Sequence, residues 1–187
     1  MNITERIKGI LLRPKAEWPA IAGEETTIAE LYRNYVCLLA AIGPVAAFIG
    51  MSLIGIGLPM GGTHRTSITS GILTALLQYG LSLAGVYILA WIIDALAPTF
   101  AGEKNLNQAF KLAAYSYTPS WLAAIFTLIP PLGFLGILGL YGLYLLYIGL
   151  PVLMRCPQDK AAGYTATVVV AAIVIFVVIG ALSWALI

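Results

Sequence analysis

Charge is scarce in this sequence. Charged residues make up only 10% of the 187 residues, and the chain contains one histidine and two cysteines. Soluble domains carry about 25% charged residues, so the deficit excludes a separate soluble domain. The net charge of +2 and the absence of a Lys/Arg cluster predict that nucleic acid is not a partner.

Catalytic motifs are also missing. The sequence contains no HExxH, P-loop or GxSxG pattern, and His64 lies far from Cys37 and Cys156. The two thiols are therefore predicted to be free and packed. A protease pair of Asp94 and Asp159 is disfavoured, because Asp159 lies in a short polar loop. We expect a protein that is not an enzyme and that has neither a metal nor a cofactor.

Apolar residues are abundant, at 60% of the chain. They gather in five long runs, at residues 36–57, 68–97, 109–129, 132–154 and 164–187. About 20 apolar residues are needed for one helical span, and backbone groups in lipid must be satisfied within helices. The sequence therefore predicts an all-α polytopic membrane protein with five transmembrane helices. Residues 1–27 are predicted to be a cytoplasmic segment and 28–187 one membrane domain.

The basic residues are unevenly distributed between the predicted loops. With five spans and the N-terminus inside, nine of the ten Lys and Arg residues face the cytoplasm and Arg65 faces out. All eight acidic residues fall on the inner side as well. The positive-inside rule thus predicts a cytoplasmic N-terminus and a C-terminus outside. The outer loop 58–67 is nearly uncharged, so polar chemistry is expected at the inner face.

The first residues have the pattern of a short amphipathic helix. Asn2 is a candidate N-cap, and Pro14 is expected to end the helix. The apolar face comprises Ile3, Ile7, Ile10 and Leu11, and the predicted polar side comprises Glu5, Arg6 and Lys8. Such a helix either lies on the inner leaflet or packs beneath the bundle. A second capping box, Thr27 to Glu30, is predicted to begin the first long helix.

Prolines and glycines predict where the helices bend and approach each other. Pro44 is expected to kink the first span, Pro119 to bend the third and Pro151 to end or bend the fourth. Pro130 and Pro131 form a very short outer connection, which predicts an antiparallel hairpin of the third and fourth spans. Four glycines follow at three-residue spacing, at Gly133, Gly136, Gly139 and Gly142. On an α-helix they would drift around the axis and allow close approach by more than one neighbour.

Three segments resemble the Yip1-domain family of five-span membrane proteins. Glu30-Leu-Tyr32 resembles the family's acidic-Leu-Tyr motif, and Ala114-Tyr115-Ser-Tyr117-Thr-Pro119 resembles its Gly-Tyr-Ser…Pro motif. Leu145–Tyr164, with Gly149-Leu-Pro151 and Pro157-Gln-Asp159-Lys160, is similar to the bacterial branch. The resemblance extends from about Ile3 to Ile187.

The resemblance implies a fold and a membrane rather than a reaction. Bacterial members are inner-membrane proteins of poorly defined function. Eukaryotic members are linked to vesicle traffic and Rab-type GTPases, and they have a longer hydrophilic N-terminus than the roughly 27 residues here. The resemblance therefore predicts an inner-membrane protein and no trafficking role.

The candidate site lies at the predicted inner ends of the spans. Asp94 and Lys111 flank the loop between the second and third spans, which predicts an ion pair that closes this hairpin. A second hypothesis adds four residues that would converge with them on a polar pocket for an ion, a lipid headgroup or a proton. These residues are Glu30, Tyr32, Tyr115 and Tyr117. Ionisable groups in a membrane raise such a hypothesis because their burial is costly.

Two classes of function remain. The first is a non-enzymatic organiser or accessory that binds membrane lipids, partner proteins or further copies of itself. The second is a small carrier or channel that uses the inner-side polar pocket. A carrier is expected to have convergent polar groups near the midplane. Gln78 is one of few candidates there, which favours the organiser.

Overall fold

Helices form almost all of the described structure, a computed structural model that describes residues 2–57 and 62–185. The N-terminal pair comprises α1 (Ile3–Leu12) and α2 (Pro14–Gly23). The long helix α3 (Ile28–Ile54) contains α-helical segments at Ile28–Leu31, Cys37–Ala40 and Ile42–Phe48, and π-helical turns at Tyr32–Val36 and Ile49–Ile54. It is followed by α4 (Ile68–Leu96), α5 (Leu106–Ser116), α6 (Thr118–Ala123), α7 (Tyr141–Leu153) and α8 (Ala161–Ala185).

Short elements connect these helices. The 3₁₀ segments are Ala97–Phe100, Ala124–Leu128, Pro130–Leu140 and Gln158–Lys160. Two strands of two residues each, β1 (Ile56–Gly57) and β2 (Thr63–His64), pair antiparallel with Ile56 opposite His64. The predicted outer loop is described only from Gly62 onward, and the last two residues of the fifth apolar run also lie outside the described residues.

The helical membrane class is confirmed at a coarser level than predicted. Within residues 2–57 and 62–185, three helices are long and apolar enough to cross a membrane, namely Ile28–Ile54, Ile68–Phe100 and Pro130–Leu153. The predicted third span is divided at Tyr117 into α5, α6 and a 3₁₀ segment. The count of five spans stays a prediction.

The N-terminal helix begins where its cap predicts, because the Asn2 side chain accepts a hydrogen bond from the Thr4 N–H at 3.1 Å. Ile10 is fully buried, and Ile3, Ile7 and Leu11 pack against the core. The prediction that Arg6 lies away from this face is wrong, because Arg6 is buried. Arg6 follows Ile3 by three residues and precedes Ile10 by four, a spacing that places all three on one face. Whether α1 lies in a leaflet stays a prediction.

The α-helical hydrogen-bond pattern is interrupted close to four of the five prolines that were expected to bend or end helices. A turn at Ala41 precedes Pro44, and the break at Tyr117 precedes Pro119. Ile129 is the single extended residue before the 3₁₀ helix that starts at Pro130 and Pro131. Helix α7 continues through Pro151 and ends two residues later.

The glycine row has a different geometry from the one expected of an α-helix. Residues Pro130–Leu140 form a 3₁₀ helix, which has 3.0 residues per turn. Gly133, Gly136 and Gly139 therefore share one face instead of drifting around the axis. A Cβ at Gly139 would approach the Ser120 hydroxyl to 2.8 Å, and a Cβ at Gly142 would approach the Ser116 carbonyl oxygen to 2.3 Å. These contacts confirm that the third and fourth apolar runs form a close antiparallel hairpin.

The substitution Gly142→Ala tests this packing. The added methyl group has no room beside the Ser116 carbonyl oxygen, so we expect a loss of about 1–3 kcal/mol in the free energy of unfolding. Gly136→Ala is the matched control, because a Cβ there meets nothing within 4 Å. Thermal unfolding in detergent measures both. Equal stability of the two variants would contradict the close approach.

Candidate functional site

A cluster of charged and polar groups, with Arg6 and Lys111 buried in it, joins the N-terminal helices to the rest of the structure. This polar cluster consists of Arg6, Glu17, Glu24, Lys111 and Tyr115. The Arg6 Nη1 lies 2.5 Å from the Glu17 carboxylate, and its Nη2 pairs with the Glu24 carboxylate. The guanidinium also lies over the Tyr115 ring, 5.6 Å from its centroid. Because Arg6 is only 7% exposed, its charge depends on these partners rather than on water.

Lys111 connects α5 to the end of α2. Its Nζ donates hydrogen bonds to the Ile21 carbonyl at 3.2 Å and to the Glu24 carbonyl at 2.5 Å. The last carbonyls of an α-helix carry its negative partial charge, and the Ile21 carbonyl also accepts from the Glu24 N–H at 3.3 Å. The lysine, 2% exposed, therefore caps α2 while the carbonyls compensate its charge.

Aromatic rings cover the inner side of the cluster. Tyr115 packs edge-on against Tyr35 at 4.9 Å and against Trp18 at 6.4 Å between ring centroids. The Tyr35 hydroxyl lies 2.8 Å from the Thr118 hydroxyl, which satisfies both in the buried core. The rings shield the buried Arg6 side of the cluster, whereas the Glu17 and Glu24 carboxylates stay 24% and 36% exposed.

The predicted ion pair between Asp94 and Lys111 is wrong. The ion pairs in the part of the chain that the structure describes are Arg6–Glu17, Arg6–Glu24 and Arg155–Glu103. Lys111 is turned toward α2 instead of toward α4. Asp94 keeps one buried carboxylate oxygen that has no hydrogen-bond partner among the described groups.

The other predicted site residues lie in different surroundings. Glu30 closes a capping box with Thr27, whose N–H donates to the Glu30 carboxylate at 2.9 Å. The Tyr32 hydroxyl donates to the Leu83 carbonyl at 2.8 Å. Tyr117 stacks on Trp121 at 5.7 Å. The structure thus brings Lys111 and Tyr115 together, and it places Glu30, Asp94 and Tyr117 outside the polar cluster. That any of them binds a ligand stays a prediction.

Sequence reasoning missed Arg6, Glu17 and Glu24. The spacing of Arg6 from Ile3 and Ile10 was a usable sign that its side chain faces the core. Nothing comparable marks the two glutamates, because their partner lies on another helix.

Both cysteines are free thiols, and burial raises the pKa of the Cys156 thiol in the loop before α8. A raised pKa keeps this thiol protonated and unreactive at neutral pH.

A second feature is a cleft of about 240 Å³ halfway along the bundle. Its walls are mostly apolar side chains of α4, α7 and α8. Three hydroxyl-bearing residues, Ser116, Tyr117 and Ser120, line one side. The Ser116 hydroxyl is buried and has no hydrogen-bond partner among the described residues. The cleft can accept a mostly apolar molecule with one hydrogen-bonding group.

Comparison with known proteins points to one family. The Yip1 domain model matches residues 8–179. Two similar relatives are named "Inner membrane protein YohC", from Escherichia coli K12 and from E. coli O6:H1. Each is 33% identical over 122 residues, which cover 65% of this chain and 63% of the relative's length. No solved structure matches the chain.

The importance of the polar cluster is testable with Arg6→Ala. This variant leaves Glu17 and Glu24 without their counter-charge, and we expect a loss of about 1–3 kcal/mol, because Arg6 is buried but the two carboxylates are 24% and 36% exposed and can be hydrated. Arg155→Ala is the control, because its pair with Glu103 is exposed on both sides, at 73% and 66%. Exposed pairs contribute about 0–1 kcal/mol. Chemical unfolding in detergent measures the free energy of unfolding of both variants. A similar loss in both would contradict a structural role for the polar cluster.

Proposed function

Since the chain belongs to the Yip1 domain family, we propose that it is a non-enzymatic organiser of the bacterial inner membrane. In this role it binds membrane lipids, partner proteins or further copies of itself through its helices. The named E. coli relatives are inner membrane proteins, and the apolar helices suit the same membrane.

One observation carries the proposal. The two buried cations of the polar cluster are engaged by carboxylates or by backbone carbonyls, as the contacts of Arg6 and Lys111 show. Groups held in this way stabilise the fold and are poorly placed to exchange an ion or a proton with a substrate. The absence of catalytic motifs from the sequence supports a non-enzymatic role further.

The outer surface of the helices supports binding of apolar partners. Many large side chains that point away from the core are apolar, including Leu73, Leu76, Leu77, Val170 and Val177. In a bilayer these faces contact acyl chains or the helices of other proteins. An organiser requires such contacts and needs no internal path for a solute.

A small carrier or channel is the second candidate, and the cleft with Ser116 favours it. Polar groups between helices near the middle of a bundle are typical of substrate sites in transporters. The Ser116 hydroxyl, which has no hydrogen-bond partner among the described residues, would replace part of the hydration of a small solute.

Flux measurements distinguish the two candidates. Purified protein is reconstituted into vesicles, and proton and potassium fluxes are measured with ion-sensitive dyes. The organiser predicts fluxes equal to those of empty vesicles, together with phospholipid that stays bound after detergent extraction. A saturable flux that Ser116→Ala abolishes would replace the organiser with the carrier.

We also propose the N-in, C-out orientation, which nine of the ten basic residues support. Fusions of green fluorescent protein and alkaline phosphatase to each terminus test it in cells. Fluorescence is expected at the N-terminus, because green fluorescent protein folds in the cytoplasm. Phosphatase activity is expected at the C-terminus. The reverse pattern, or the same reporter active at both ends, would contradict the orientation.

A further inference from the structure

We propose that a cleft between α2, α7 and the start of α8 binds the headgroup phosphate of an anionic phospholipid. The inference rests on the proposed lipid-binding function and names a site and a lipid class for it. The cleft measures about 260 Å³. Its lining includes Lys15, Trp18, Ile148, Val152, Gln158 and Ala161.

The floor of the cleft contains an unused hydrogen-bond donor. Trp18 is 0% exposed, and its indole Nε1 has no hydrogen-bond partner among the residues that the structure describes. The Cε2–Cζ2 side of the indole lies against α7, because a Cβ at Gly149 would lie 2.8 Å from Cε2 and 3.0 Å from Cζ2. Ile148 and Val152 flank Gly149 on α7. An unsatisfied buried donor is costly, so an acceptor oxygen at this place would stabilise the protein.

The charge of the cleft favours an anion. Among its lining residues only Lys15 carries a charge at neutral pH, and it is positive. Glu17, two residues further on, is engaged by Arg6 and does not line the cleft. The side-chain amide of Gln158 adds a donor at the beginning of the segment that leads into α8. A helix of 25 residues such as α8 presents its positive end here.

The cleft lies at the level expected of lipid headgroups. Helix α4 has 29 residues, so it is about 43 Å long at ~1.5 Å per residue. The hydrocarbon layer is ~30 Å thick, so part of the helix extends beyond it. We assign this part to the C-terminal end of α4, near Leu96, which then lies among the headgroups. Exposed aromatic side chains gather toward this end, at Tyr87, Trp91, Tyr144 and Tyr147. Tyr and Trp concentrate at membrane interfaces, and Tyr147 is itself part of the cleft wall.

The surface beside the cleft suits the rest of the lipid. From Tyr147, helix α7 and the preceding 3₁₀ segment continue away from the polar end with exposed Tyr144, Leu143 and Leu140. Acyl chains attached to a phosphate in the cleft would lie along these side chains. A headgroup without a cation is favoured, because a choline or ethanolamine group would approach the ammonium group of Lys15 in the cleft lining. Phosphatidylglycerol has these properties.

Titration of the delipidated full-length protein with dioleoylphosphatidylglycerol, followed by native mass spectrometry, tests the site. We expect Lys15→Ala to weaken binding about fivefold and Trp18→Phe, which keeps an aromatic ring but loses the donor, about tenfold. Lys8→Ala removes an equal charge from an exposed position of α1 and is expected to bind like the unmodified protein. Equal binding by Lys15→Ala and Lys8→Ala would overturn the proposal.

Further arms of the experiment separate the sources of the phosphate. Dioleoylphosphatidylcholine is expected to bind more weakly, and equally tight binding would overturn the preference for an anionic lipid. Millimolar inorganic phosphate is expected not to displace the lipid, and displacement would make free phosphate the ligand instead. If Trp18→Phe lowers the unfolding temperature strongly, Gln158→Glu replaces it, because this exposed substitution sets a carboxylate against the phosphate. Unchanged lipid binding in that variant would overturn the site.

The outcome also separates this site from the proposed function. Equal lipid binding by all variants would contradict the proposed lipid site in the cleft but would not contradict the organiser function. Solute flux through vesicles that contain the unmodified protein would overturn the organiser, whatever the cleft binds.

Discussion

The packing of α1 and α2 against the rest of the structure depends on the buried ammonium group of Lys111. A charge without access to water requires polar partners in the protein. Lys111 finds them in the Ile21 and Glu24 carbonyls at the C-terminal end of α2, where the helix carries its negative partial charge. These two hydrogen bonds compensate the buried charge and fix α2 against α5. Arg6 then holds α1 to the same place through Glu17 and Glu24.

Close backbone contacts make the rest of this arrangement feasible. Trp18 fits against α7 only because Gly149 has no side chain, and α7 approaches α5 at Ser116 only because Gly142 has none. The 3₁₀ geometry of Pro130–Leu140 then sets Gly139 against Ser120 on the same hairpin. The proposed lipid cleft depends on these contacts, because α2 and α7 form two of its walls and the start of α8 forms the third.

The family match covers most of the chain, including all of the polar cluster except Arg6. The Yip1 domain match begins at residue 8, so Glu17, Glu24 and Lys111 lie within it and Arg6 lies just before it. The curated relatives match this chain over 63% of their own length. Their name gives a membrane and no reaction. The organiser role and the lipid site therefore depend on this chain's own contacts.

Local patterns in the sequence were enough for the helical class, for the N-caps at Asn2 and Thr27 and for the breaks near Pro119 and Pro130. Each of these depends on residues within one or two helical turns, where spacing and backbone chemistry decide the outcome. The partners of Lys111 could not be predicted in this way, because they lie 87 and 90 residues away in the chain. Proximity in the sequence suggested Asp94 instead, and the tertiary structure set the lysine against α2. The sequence by itself determined that the chain is helical and mostly apolar, with few charges. Only the packing of α1 and α2 against α5 and α7 decided which charges meet, because a buried charge is satisfied by whatever polar group the fold brings within hydrogen-bonding distance.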